Sequence, residues 1–404
     1  MKRKVFLGVL MLLVAAGLIF AGGKQETPEP EKTKAAETAE AVPEKSVKAG
    51  FIYVGPTADY GWSYAHEVGR QYVEEKFPWL ESIYVESVPE GDASRIIDRM
   101  VQEEKCDVIF TTSFGYMDDT LAAGEKYPDT LFMHCSGFKQ LENLGTYFGD
   151  LYQEYYLNGM MAGALTKTNK IGYVAAFPIS ELVRHIDAYA LGIKAVNPDA
   201  KVYIKWTYAW YGPDKAKEAA EALVAEGCDA LAFTEDSPAV IEVGQEHTEN
   251  GEMVYTFSHY SPMQNYGVDS VVSGQLADWG VMYEKILQDI YDGTWTNEDL
   301  WWLLKEGAVE LGGTFEEKIN EKFVDDLKAV MVTDPDFGKI SVYDLVMKRY
   351  DQMKSGGPDV FDPFDGPVYD NKGTLQIPEG SRASKDDLIS IMYFVDNVAA
   401  EIPQ

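Results

Sequence analysis

Five short stretches carry the side chains best suited to holding a ligand. They are Asp59-Tyr60-Gly61-Trp62-Ser63-Tyr64, Thr111-Thr112-Ser113-Phe114-Gly115-Tyr116, Phe177-Pro178-Ile179, Trp206-Thr207-Tyr208-Ala209-Trp210-Tyr211 and Thr234-Glu235-Asp236-Ser237. Most mix aromatic rings with hydroxyls or carboxylates. Rings of this kind stack on a flat ligand, and the polar groups between them bond to its edge. That is recognition chemistry. Support for bond-making chemistry is missing. The five histidines form no His-Glu-x-x-His pair and show no spacing to a cysteine pair, so a zinc site is not expected. A Gly-x-Ser-x-Gly elbow and a phosphate-cradling Gly-x-x-x-x-Gly-Lys-Ser/Thr loop are both lacking. Tyr116-Met117-Asp118-Asp119 spells a polymerase-like tetrapeptide, but a two-metal site needs a further carboxylate at a defined place. The expectation is a binding protein with no cofactor and no metal. The plainer reading is that these aromatics cap hydrophobic cores, which suits any one of them better than all of them.

The elements that must position these stretches appear twice, about 120 residues apart. Phe51-Ile52-Tyr53-Val54 is echoed by Ile171-Gly172-Tyr173-Val174, and Ile83-Tyr84-Val85 by Val202-Tyr203-Ile204. Val108-Ile109-Phe110 is echoed by Leu231-Ala232-Phe233, and Leu131-Phe132-Met133 by Met253-Val254-Tyr255. Continuous apolar strands alternating with amphipathic helices predict parallel sheets covered on both faces. Two such sheets make two lobes of an α/β protein. Ligands of open α/β sheets sit beyond the carboxyl ends of the strands, where all five stretches fall.

The chain's 404 residues suffice for two cores, and 13% aromatic content excludes wholesale disorder. A formal net charge of −31 argues against nucleic acid and anionic membrane surfaces as partners. Residues 1–21 read as a signal peptide, with basic Lys2-Arg3-Lys4, an apolar run from Val5 to Phe20, and a cleavage point at Ala21. Retention through an uncleaved leader is the alternative, since the run approaches spanning length. No cysteine follows it to accept a lipid. Residues 22–47 read as a disordered linker of Glu, Lys, Ala, Thr and Pro. Three cysteines, an odd number, do not form a disulfide framework and are expected as buried apolar residues.

From about Lys48 to the C-terminus the sequence resembles the basic membrane protein (BMP) family of ABC-transporter substrate-binding proteins. It looks most like the branch that binds adenine and related purines, beside purine-nucleoside receptors. The resemblance rests on Gly61-Trp62-Ser63-Tyr64, Thr112-Ser113-Phe114-Gly115-Tyr116-Met117, Asn143-Leu144-Gly145-Thr146-Tyr147-Phe148-Gly149, Phe177-Pro178-Ile179, Asn197-Pro198-Asp199-Ala200, Asp236-Ser237-Pro238-Ala239, Asp278-Trp279-Gly280 and Gly366-Pro367-Val368-Tyr369-Asp370-Asn371-Lys372-Gly373, in that order. It implies a type I periplasmic-binding fold, with two Rossmann-like lobes joined by three crossings and closing on a ligand in the central cleft. It also implies a permease and its ATPase as partners, and a periplasmic or cell-surface location. The expected division is lobe 1 at 48–165 with part of about 264–310, and lobe 2 at 166–263 with part of about 311–404.

Carried over residue by residue, the resemblance sets Trp62 and Phe114 as the rings that sandwich a base. Asp236 becomes the acceptor of its amine or ring N–H, and Trp210 a further aromatic of the cleft. Asp187, Ser63, Tyr60 and Tyr116 complete the expected ligand-binding set. The sequence departs from the family in two places. His185-Ile186-Asp187-Ala188-Tyr189 stands where Gly-x-Asn-Ala-Phe is frequent, and Ser258-His259-Tyr260-Ser261-Pro262-Met263 lacks the aspartate expected to bind ribose hydroxyls. The expectation is therefore a monomeric receptor for a free purine base, adenine first. The alternatives are a purine-nucleoside receptor, or a sugar receptor using Asp187, Asp236, Asp59 and Arg184. An α/β enzyme and a sensor ectodomain are more distant possibilities.

Overall fold

Runs such as Val108-Ile109-Phe110 lack polar alternation, and strands of this kind hold together only when both faces are covered. The computed structural model describes residues 45–357 and 360–403, and it builds two six-stranded sheets from them. The expected signal peptide and all but the last residues of the expected linker lie outside the described residues.

In the first lobe, β1 (Val47–Ile52), α1 (Trp62–Lys76), β2 (Leu80–Val85), α2 (Ala93–Gln102), β3 (Val108–Thr111), α3 (Met117–Lys126), β4 (Leu131–Cys135) and β5 (Leu144–Gly149) alternate along the chain. The expected linker ends too late: Val47 is buried and pairs in parallel with Leu80, because its apolar side chain completes β1. The second lobe takes up α4 (Tyr152–Leu165), β6 (Lys170–Ala175), α5 (Ser180–Val196), β7 (Lys201–Trp206), α6 (Pro213–Ala225), β8 (Ala230–Thr234), α7 (Ala239–Glu249), β9 (Tyr255–Tyr260) and β10 (Val271–Ala277). The chain then returns through α8 (Trp279–Asp292), which packs on α1, and β11 (Asp299–Trp302), which pairs with β5. It crosses again to β12 (Val309–Leu311), antiparallel to β10. The sheet orders are β11-β5-β4-β3-β1-β2 and β12-β10-β9-β8-β6-β7. Each reverses direction about its first strand. Those reversals, between β1 and β3 and between β6 and β8, are topological switch points, where α/β sheets hold their ligands.

The first passage between lobes comes earlier than expected. The expected first lobe runs to residue 165, yet α4 packs on α5 and against β10. Small residues let these helices touch: a Cβ on Gly159 would lie 2.1 Å from the Tyr189 carbonyl oxygen. The crossings are therefore at Asp150, at Asp278, and between Trp302 and Val309. Beyond β12, α9 (Glu321–Ala329) packs on α4, the hairpin β13 (Met331–Asp334) and β14 (Gly338–Ser341) follows, and α10 (Val342–Ser355) packs on α4, α9 and β14. Then β15 (Val368–Tyr369), β16 (Leu375–Ile377) and α11 (Lys385–Ile389) lead to a last segment, where Val398 bridges to Val202 on β7. All three cysteines are buried and unpaired. No helix among the described residues is long and apolar enough to cross a membrane.

Candidate functional site

A small cavity lies between the carboxyl ends of the two sheets, at both switch points. From the first lobe it is lined by Trp62 after β1, by Ser113 and Phe114 after β3, and by Ser136 after β4. The second lobe contributes Glu181 after β6, Trp210 after β7, Asp236 after β8 and Tyr260 at the end of β9.

Trp62 opens α1. Asp59 caps that helix, accepting from the backbone N–H groups of Gly61 (2.8 Å), Ser63 (3.0 Å) and Tyr64 (2.9 Å). The capping fixes the Trp62 backbone, and its neighbours fix the ring. Its Nε1 donates to the Thr112 carbonyl at 2.5 Å, and the ring meets His66, Tyr260 and Trp279 edge-on at 4.6, 4.9 and 5.1 Å. Phe114 is only half-buried and presents its ring from the turn after β3. Trp210 lines the same cavity from the other lobe, its ring 5.0 Å from that of Phe177. The Trp210 indole N–H donates to Glu90 Oε1 at 3.2 Å across the cleft, and Glu90 also accepts from Ser113 Oγ (2.6 Å) and Gly115 N–H (3.0 Å).

Further hydrogen bonds join the lobes beside the cavity. Ser261 Oγ donates to the Tyr60 carbonyl at 2.5 Å, and Ser136 Oγ donates to Glu181 Oε2. The β1–α1 loop also lies directly on the β8–α7 loop. A Cβ on Gly61 would sit 2.7 Å from Asp236 Cα, so glycine alone permits that approach.

The polar side of the cavity is acidic and buried, with Asp236 and Glu181 lining it. Burial first, then the neighbouring Asp59 and Glu235 carboxyls, push Asp236 well above the usual carboxylate range. A hydrogen bond from the Trp62 backbone opposes that shift. Burial also pushes Asp59 up to about 6, Glu235 up to about 8, and Glu181 upward. Among the described residues no cluster of histidine, cysteine and carboxylate could hold a metal ion.

Of the expected ligand-binding residues, Trp62, Phe114, Trp210 and Asp236 line this cavity; the other four do not. Asp187 is fully buried on α5 and accepts the Val395 N–H at 2.9 Å, because the C-terminal segment packs on that face. Ser63 lies beneath the site, where its Oγ accepts from Gly55 N–H at 3.1 Å. Tyr60, at φ 61°, turns its ring outward onto Tyr64 and Tyr266. Tyr116 is buried and donates to the Val88 carbonyl at 2.5 Å. Conversely, Ser136, Glu181 and Tyr260 line the cavity without belonging to the expected ligand-binding set. The available signal was position, since each follows or ends a strand of the two sheets.

Phe114, Ser136 and Glu181 also line an adjoining cavity, whose far walls include Phe138, Phe148, Trp301 and Lys385.

Comparison with known proteins gives a family match over residues 46–334, to "ABC transporter substrate-binding protein PnrA-like" (Bmp). A putative ABC transporter glucose-binding protein of Haloferax volcanii is 40% identical over 268 residues, 66% of either chain. A purine-binding protein of Brucella abortus is 32% identical over 363 residues, 89% of this chain and 95% of its own. Among solved structures, an ABC transporter solute-binding protein from Aeropyrum pernix superposes with a TM-score of 0.65 at 16% identity, covering 77% of this chain and 92% of that one. A periplasmic solute-binding protein from Actinobacillus succinogenes with bound D-allose gives 0.52 at 13% identity, covering 68% and 98%. At such identities the structures speak for the fold alone.

Proposed function

This chain belongs to the Bmp family of PnrA-like ABC transporter substrate-binding proteins, and on that premise we propose that its cargo is a purine base, with adenine preferred. Its fold is the type I periplasmic-binding fold, and its role is that of a transporter's substrate-binding receptor, not an enzyme. What carries the purine reading is one arrangement: an aromatic wall from each lobe, Phe114 and Trp210, facing a single narrow chamber edged by buried carboxyls. A flat heteroaromatic ring fills such a slot, stacked between Phe114 and Trp210 in place of the expected pair Phe114 and Trp62, since the Trp62 ring is held by His66, Tyr260 and Trp279. Asp236 takes the exocyclic amine. Once ionised, which its raised range sets at higher pH, it accepts N–H only, and that favours adenine over hypoxanthine with its carbonyl oxygen. The loop from Ser258 to Met263 contributes the Tyr260 ring to the chamber and no carboxylate, which disfavours ribose.

Glucose is the second reading, prompted by the relative from Haloferax volcanii. Its polar groups are mostly spoken for. Asp59 caps α1, Asp187 holds Val395, and Arg184 pairs with Asp150 at 2.8 Å and donates to the Leu388 carbonyl at 2.9 Å. Of the four candidates for sugar hydroxyls only Asp236 faces the chamber.

The receptor works as an exported monomer whose two lobes hinge at the three crossings. Calorimetric titration of ligand-stripped protein with adenine, hypoxanthine, adenosine, ribose and glucose tests the cargo. Adenine should bind tightest; a win for glucose, ribose or adenosine would refute the free-base reading.

A further inference from the structure

Glu181 stands at the first turn of α5, almost fully buried. Its carboxyl faces the ligand chamber beside Asp236, the two arriving from the ends of β6 and β8 at the second sheet's switch point. Its Oε2 accepts the Ser136 hydroxyl from the opposite lobe. Ser136 is held at φ 65°, a conformation that residues other than glycine rarely adopt, and its N–H donates to the Tyr147 carbonyl at 3.1 Å. The first lobe therefore places one constrained hydroxyl directly on Glu181. This contact stands where the ligand chamber meets the adjoining cavity, and both residues line both spaces.

A purine base offers N–H groups on two separated edges, the exocyclic amine and the imidazole ring. The chamber offers two buried carboxyls on separate elements. Resting on the purine reading above, we propose that Glu181 is a specificity-determining residue, which accepts the imidazole N–H of the free base while Asp236 takes the amine. Substitution at the imidazole nitrogen removes the donor and leaves Glu181 with Ser136 as its one remaining partner. The substituent also needs the path into the adjoining cavity, which the Ser136–Glu181 bond closes. A site built to bond an N–H discriminates strongly against the analogue without one. This selection is separate from the missing ribose carboxylate in the Ser258–Met263 loop. That loop bears on sugar hydroxyls, whereas Glu181 bears on the nitrogen itself.

The probe is 9-methyladenine, which lacks the imidazole N–H and carries no sugar. Wild-type protein should bind adenine at least about tenfold more tightly than 9-methyladenine by calorimetry. Glu181→Ala should abolish that preference, chiefly by losing adenine affinity. Ser136→Ala should narrow it by opening the path. Glu181→Gln, which keeps the size and the Ser136 partner, should retain the fold by thermal melting and show a reduced preference. Equal binding of the two ligands by wild type overturns the proposal, as does an undiminished preference in both Glu181 variants. Failure of wild type to bind adenine at all overturns instead the purine reading beneath it.

Discussion

Phe114 and Trp62 border the same chamber but are set in the protein differently, so their alanine variants should fail in different ways. Phe114 is half-buried and belongs to none of the hydrophobic clusters, so its removal leaves the lobe intact. It deletes one face of the stack, worth about 0.5–1.5 kcal/mol beyond burial. Some 40–60 Å² of ring-to-base contact at ~25 cal/mol per Å² adds roughly 1–1.5 kcal/mol. A total of about 2 kcal/mol predicts binding weakened about 30-fold with an unchanged melting temperature. Trp62 is 6% exposed, enclosed by His66, Tyr260 and Trp279, and bonded to Thr112. Trp62→Ala should therefore cost about 3–5 kcal/mol of folding stability in addition to affinity. Denaturant unfolding and calorimetry on both variants separate the two effects. If folded Phe114→Ala binds adenine within twofold of wild type, the stacking argument is wrong, whatever Trp62→Ala does.

Raising the pH from the usual carboxylate range upward should widen the adenine preference over hypoxanthine, because ionised Asp236 accepts hydrogen bonds but no longer donates them; a competition series checks this, and Asp236→Asn should flatten it. The ligand-free protein should lose stability as pH rises from about 5 to 8. Burial raises Asp59 to about 6 and Glu235 to about 8, so the folded state holds protons that the unfolded state releases, at up to about 1.4 kcal/mol per pH unit for each group. Melting curves against pH read this slope, and Glu235→Gln should shallow it above pH 6. Asp187→Ala should cost about 1–3 kcal/mol of stability, because Val395 N–H loses its acceptor, while adenine affinity stays within twofold; a tenfold loss of affinity would return Asp187 to the site.

The strands were legible because they are continuous apolar runs, and the duplication supplied both sheets and the strand ends where Trp62, Phe114, Trp210 and Asp236 sit. The lobe of α4 was not legible. That helix is buried nearly all round, so no apolar face points to one sheet, and its seat on α5 depends on glycines read only in three dimensions. Asp187 failed for a related reason: α5 is also buried on most sides, and the partner of that carboxyl lies 208 residues away. Glu181 was passed over because an acid in the first turn of a helix is ordinary, being favoured there by the helix dipole alone. Only the sheet order puts it at a switch point beside Asp236. Tyr60 and Tyr116 share their loops with true lining residues, but a left-handed backbone turns one outward and a hydrogen bond to Val88 draws the other into the core.

A crystal structure of the ligand-stripped protein grown with equimolar adenine and glucose tests the central claim most directly. The account predicts adenine between Phe114 and Trp210, its exocyclic amine on Asp236, with Trp210 still bonded to Glu90 across the closed cleft. Glucose in that chamber, or adenine bound outside it, would contradict the account.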